Sequence, residues 1–187
     1  MTLFKQLPFK RFCLGLMAIA LIYLGGCSKA AGLRPYNDIN GRYTFSYPNG
    51  MVPTDAPIKN GLQVLLRDLV YGDENVSLMV SPYDGVNRIE DLGSIEDVSQ
   101  RVATKILAPP QSNRSATLVN GGLLEEGNHT YYVMEFDTRV GQMPRHDVVT
   151  VTIDRHRLYT LTASTSDVRW AEVKDTFYEV AKSLRVS

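Results

Sequence analysis

The chain has 187 residues, of which 44% are hydrophobic and 21% are charged. This length suits one domain, and the composition excludes a disordered chain, a collagen-like repeat and a protein with several membrane spans. Lysine plus arginine and aspartate plus glutamate each number 20, so the net charge gives no argument for nucleic-acid binding. The first 26 residues hold three bases and no acid, and the remainder carries a net charge of −3.

The N-terminus has the parts of a bacterial lipoprotein signal peptide. Three basic residues precede an apolar run over 12–24, which is shorter than the about 20 residues of a membrane-spanning helix. The run ends in two glycines and Cys27, an arrangement that matches a lipobox, in which the thiol is acylated. We therefore expect a signal peptide over 1–26 and a lipid-modified Cys27, with an uncleaved anchor or plain secretion as the alternatives.

The cysteines and the residues after the signal peptide extend this interpretation. Cys13, the other cysteine, lies in the signal peptide, so the mature body should lack disulfides, cysteine-ligated zinc and a cysteine nucleophile. Residues 27–41 are small and polar, with breaks at Gly32, Pro35 and Gly41. They are predicted to form an acylated N-terminus and a flexible tether, followed by one domain over 42–187.

The domain is predicted to contain a mostly antiparallel sheet. Alternating apolar and polar residues bounded by turn residues predict strands over 42–47, 62–68, 75–81, 117–125, 130–138, 146–153 and 157–164. Their short connections favour antiparallel neighbours. Asp73 and Glu74, in one of these turns, are expected to be solvated.

Two helices are predicted from apolar positions three and four residues apart. The first is capped by Ser94 and ends before two prolines; its stripe is Ile95, Val98, Val102 and Ile106. The second is capped by Asp167; its stripe, interpreted as core, is Trp170, Val173, Phe177, Val180 and Leu184. We therefore expect an α+β fold, an antiparallel sheet of six or seven strands with helices on its faces.

The sequence lacks several common catalytic motifs. It has no Gly-rich phosphate loop, no Gly-x-Ser-x-Gly and no His-Glu-x-x-His. In the predicted register His146 opposes about Thr165 at one end of the sheet, whereas His129 and His156 fall at the other end. A three-histidine zinc site is therefore not expected. The same register brings His146 close to Asp167, and the pair could share a divalent cation or simply form a hydrogen bond.

Six stretches along the chain resemble, in order, the motifs of a known family. They are YTFSYPNG at 43–50, ENVSLMVSP at 74–82, TYYVMEF at 130–136, RH at 145–146, LYTLTAST at 158–165 and RW at 169–170. The set resembles the PsbP family, the lumenal extrinsic proteins of photosystem II, and in particular its cyanobacterial lipoprotein branch. One departure is Met51, where the family usually has tryptophan.

The resemblance implies an α/β/α sandwich, a thylakoid lumenal location and an accessory role without catalysis. It implies binding to the lumenal surface of photosystem II, in assembly or stability of the complex and in calcium and chloride retention at the oxygen-evolving centre. The family's metal-linked residues match His146 and Asp167, where zinc, manganese or calcium is expected as an optional ligand. The alternative function is a metal-dependent hydrolase or hydratase that uses the same two residues.

Overall fold

The computed structural model describes residues 32–55 and 60–187. The predicted signal peptide over 1–26 and the acylation at Cys27 lie outside the described residues. Within the described residues, no helix has both the length and the apolar character needed to cross a membrane.

Seven strands form the main sheet, in the antiparallel order β3-β4-β5-β9-β8-β7-β6. Their bounds are β3 Met51–Pro53, β4 Leu62–Asp68, β5 Asn75–Pro82, β6 Arg114–Glu126, β7 His129–Val140, β8 Met143–Asp154 and β9 Arg157–Ser166. Short turns join β4 to β5, β6 to β7, β7 to β8 and β8 to β9, which is why consecutive strands pair antiparallel. The predicted antiparallel sheet is confirmed.

A second, smaller sheet has the order β1-β2-β10, with β1 Leu33–Asn37, β2 Tyr43–Pro48 and β10 Arg185–Val186. The prediction of a tether over 27–41 is wrong for β1. Two apolar side chains explain the difference, because Leu33 packs against the core and the Tyr36 ring stacks on Phe45 at 4.9 Å. The compact unit therefore starts at Leu33.

The two predicted helices are α1 Ile95–Val102, which continues as a π-helical turn over Ala103–Leu107, and α2 Asp167–Lys182. Ser94 caps α1 as predicted: its hydroxyl accepts from the Asp97 amide, and the Asp97 carboxylate accepts from the Ser94 amide. The predicted N-cap of α2 is one residue off. Ser166 is the N-cap because it keeps extended backbone angles and still pairs with Arg145 in the sheet, so Asp167 is the first helical residue.

The helices lie on opposite faces of the main sheet, and strand β7 shows how the residues divide. Tyr131 and Val133 pack with α2 and the small sheet, while Tyr132, Met134 and Phe136 pack with α1. The result is the expected α/β/α sandwich. Met51, at the position where the resemblance suggested tryptophan, is 2% exposed and belongs to the core on the α2 side.

Candidate functional site at one end of the sheet

The β8–β9 register builds the site. Ile153 pairs with Leu158 and His146 with Thr165, as predicted. Strand β9 passes directly into α2, so Asp167 lies beside His146. His146 Nε2 is 2.8 Å from Asp167 Oδ1, a hydrogen-bond distance.

A second carboxylate, which the sequence reasoning missed, lies on the other side of the imidazole. Asp137 of β7 pairs with His146, and its Oδ1 is 3.0 Å from His146 Nδ1. The direction is not that of a hydrogen bond, and the buried Nδ1 has no hydrogen-bond partner in the described part of the chain. Counting back across the two-residue β7–β8 turn, where Val140 pairs with Met143, would have found Asp137.

Aromatic stacking fixes the imidazole plane. The Trp170 ring lies parallel to it, with 4.8 Å between centroids and 5° between planes. Trp170 also packs against the core, as predicted, and Lys174 Nζ lies 5.2 Å from the centroid of the same ring. His146 is therefore flanked by two aspartates, one near each ring nitrogen, and covered by Trp170 on one face.

An ion pair next to the site corrects the expectation that Glu74 is solvated. Glu74 is 4% exposed, and its Oε1 accepts from Arg169 Nε at 2.8 Å and from the Thr165 hydroxyl at 3.2 Å. The hydrogen bond to Glu74 raises the pKa of Arg169. The Arg169 guanidinium also lies 3.7 Å from the centroid of the Tyr71 ring. Glu74 is buried because the β4–β5 turn packs under the first turn of α2.

Arg145, next to His146, ties the same turn to the sheet. Its Nη2 donates to the Asp73 carbonyl at 2.6 Å and to the Ser164 hydroxyl at 2.9 Å. Arg145 and Arg169 thus hold the β4–β5 turn from both sides of β9. These charged side chains connect the β4–β5 turn to β8, β9 and α2 at the end of the sheet where the imidazole lies.

The chemistry open to the site is ligand binding. Only one nitrogen of a neutral imidazole carries a proton, so in that form the other ring nitrogen has a lone pair available to a ligand. The side chains of Asp137 and Asp167 are 62% and 58% exposed, and an open pocket of about 360 Å³ borders them. Among residues 32–55 and 60–187, however, no three histidine, cysteine or acidic side chains have the geometry of a metal site. A cation here would need water or another molecule to complete its coordination.

The other two histidines lie elsewhere, as expected. His129 Nε2 is 3.1 Å from Asp154 Oδ1 near the opposite end of the sheet, and His156 lies in the β8–β9 turn at that end.

Comparisons with known proteins match the chain to one family. A family model described as PsbP matches residues 31–186. CyanoP from Thermosynechococcus vestitus is 33% identical over 183 residues, which cover 95% of this chain and 98% of the relative. The solution structure of CyanoP from Synechocystis sp. PCC 6803 matches with a TM-score of 0.70 and 36% identity, covering 88% of this chain and 99% of that one.

A more distant match concerns the fold alone. The Ran-binding protein Mog1p of Saccharomyces cerevisiae matches with a TM-score of 0.51 and 8% identity, over 82% of this chain and 95% of that one. The chain therefore has the sandwich that Mog1p and the CyanoP structure share.

Proposed function

Because this chain belongs to the PsbP family, we propose that it is a lipid-anchored accessory protein of photosystem II on the lumenal side of the thylakoid membrane. Proteins of this family associate with photosystem II, and the homologues are thylakoid lumenal proteins. The observation that carries the proposal is the likeness to CyanoP along nearly the whole chain. The proposed role is in assembly or stability of the complex, with retention of calcium and chloride at its oxygen-evolving centre.

The membrane anchor in this proposal is the acylated Cys27, supported by the basic region, the apolar run and the lipobox. A catalytic role is not proposed. Known members of the family are non-enzymatic, and the hydrolase alternative would need a metal with an open position and a general base beside it.

Purification of tagged chain from solubilised thylakoids tests the partner. We expect photosystem II subunits to be recovered with it, and the composition of the recovered complexes separates the two roles. Complexes that lack the manganese cluster would point to assembly, and oxygen-evolving complexes to stability or ion retention. Recovery of the anchored chain without any photosystem II subunit would contradict the proposal.

We also propose that His146 and Asp167 bind a divalent cation weakly, with Asp137 next to them. The support is the unpartnered Nδ1, the two carboxylates at 2.8 and 3.0 Å and the adjoining open pocket. Imidazole and carboxylate suit zinc or manganese, and calcium would use the carboxylates. A protonated imidazole has no lone pair for a metal, so binding should weaken as the pH falls.

Calorimetric titration with zinc, manganese and calcium tests this site. We expect His146→Ala to abolish the heat of zinc and manganese binding. The matched control is His129→Ala, which removes another aspartate-paired histidine but lies near the opposite end of the sheet. Equal heats in wild type and His146→Ala would eliminate the site and leave a hydrogen-bonded pair.

A further inference from the structure

The turn between β4 and β5 exposes three consecutive apolar side chains. Leu69 is 73% exposed, Val70 79% and Tyr71 41%, and they are consecutive. We call residues 69–71 the apolar tip. Single exposed apolar residues are normal in a soluble protein, but several adjacent ones indicate a contact surface.

The apolar tip is held in place by hydrogen bonds. The Asp68 carboxylate accepts from the amides of Val70 and Tyr71 at 2.8 and 2.9 Å. The Leu69 amide donates to the Gly50 carbonyl at 3.1 Å, and Arg169 lies over the Tyr71 ring. The fold therefore presents Leu69 and Val70 outward on an ordered turn.

The chain enters the domain at this same end. Leu33, the first residue of β1, pairs with Pro48, and the next turn contains Gly50, which bonds Leu69. Cys27 precedes Leu33 by six residues, which span at most about 20 Å when fully extended. An acyl chain on Cys27 would therefore hold Leu33, and with it the apolar tip, close to the bilayer.

Two more exposed apolar residues lie at this end. Val168 in the first turn of α2 is 84% exposed, and Met143 at the start of β8 is 65% exposed. The exposed carboxylates of Asp137 and Asp167 are at the same end. Exposed arginines at this end, Arg67, Arg114 and Arg139, make its charge mixed, so the feature that distinguishes this surface is its apolar side chains.

We propose that the apolar tip inserts into the interface of the same bilayer that carries the acylated Cys27, and so orients the domain. This inference rests on the proposed lipid anchor. Lipid is the partner because the attachment point of the acyl chain and the exposed apolar residues coincide at one end of the molecule. One consequence is that the pocket of His146 and Asp167 opens near the lipid headgroups.

Site-specific fluorescence on the full acylated chain tests the orientation. Val70→Cys supplies one free thiol, because Cys27 would be acylated and Cys13 removed with the signal peptide. The thiol is labelled with an environment-sensitive dye, and the protein is reconstituted into phosphatidylcholine vesicles whose acyl chains carry nitroxides. We expect a blue shift and at least threefold stronger quenching than for the same dye at Ile39→Cys.

Ile39 is the matched control because it is 96% exposed but lies in the β1–β2 turn at the other end. Two hydrogen bonds show the position of that turn. The Arg42 carbonyl accepts from the Ser187 amide, and the Ser187 carbonyl accepts from Arg155, which lies in the β8–β9 turn at the end of the sheet opposite the apolar tip. Circular dichroism checks that both variants fold.

The outcomes separate the inference from the lipid anchor. If the protein floats with the vesicles but both dyes are quenched equally, or neither is, the orientation is wrong and the anchor stands. If Val70 is shielded only after photosystem II is added, the apolar tip binds protein and the inference is also wrong. If the protein does not float with vesicles, the anchor is wrong and the inference fails with it.

Discussion

Replacing Phe177 with alanine is expected to lower the free energy of unfolding by about 3–5 kcal/mol, as truncation of a buried aromatic ring does in other cores. Phe177 is 0% exposed in α2 and belongs to the core between that helix, the main sheet and the small sheet. Side chains of α2, the main sheet and the small sheet make up this core, so local relaxation is not expected to close the cavity that the substitution leaves. The loss combines the transfer free energy of the ring with the cavity that remains.

Chemical denaturation of wild type and Phe177→Ala measures the effect, with an unchanged denaturant slope showing that the compactness of neither state has altered. Val168→Ala is the control, because Val168 is on the same helix but 84% exposed; it should shift the free energy of unfolding by less than about 0.5 kcal/mol. A loss below about 1 kcal/mol for Phe177→Ala would contradict the assigned core.

Periodicity and turn lengths were sufficient to predict six of the seven strands of the main sheet and the position of His146. Strand β3 was not predicted, and the predicted strand over 42–47 is β2 of the small sheet. The β8–β9 hairpin shows why the position of His146 was predicted: its two strands are long, its turn is short, and one matched pair of residues fixes every other pair. Pairing of Ile153 with Leu158 placed His146 opposite Thr165, and the chain then reached Asp167 without a loop. The site could be predicted because consecutive strands pair with each other in an antiparallel arrangement, so residues close in the sequence also lie close in space.

The parts that were missed depend on contacts between distant segments. Glu74 and Arg169 are 95 residues apart, and no local pattern shows that the β4–β5 turn packs under α2. Strand β1 was missed because Gly32 and Pro35 indicate a loop, while the partner that makes Leu33–Asn37 a strand is β2. The small sheet gains its third strand because the chain returns to β2 after α2, as β10, which propensity within either segment does not indicate.

Replacing Cys27 with serine is expected to move the protein from the thylakoid membrane to the soluble lumenal fraction. A buried methylene contributes about 0.8 kcal/mol, one myristoyl chain alone binds only marginally, and stable anchoring takes a second chain or another signal. Serine cannot carry the thioether-linked lipid, so the dominant attraction disappears. The apolar tip has three residues, too few to hold the domain on the membrane alone, although it would bias the orientation of an anchored molecule.

The experiment must distinguish anchoring by acyl chains from anchoring by an uncleaved signal peptide, because the apolar run over 12–24 could itself hold a precursor on the membrane. Cys27→Ser is therefore made in a chain whose residues 1–26 are exchanged for a cleavable signal peptide of a soluble secreted protein. Cys13→Ser in the natural chain is the matched control and should stay membrane-bound, since Cys13 would be discarded with the predicted signal peptide. Fractionation after a salt wash, with mass spectrometry of the N-terminus, reads out both variants. Retention of the processed serine variant on membranes would show that something other than acylated Cys27 is the anchor.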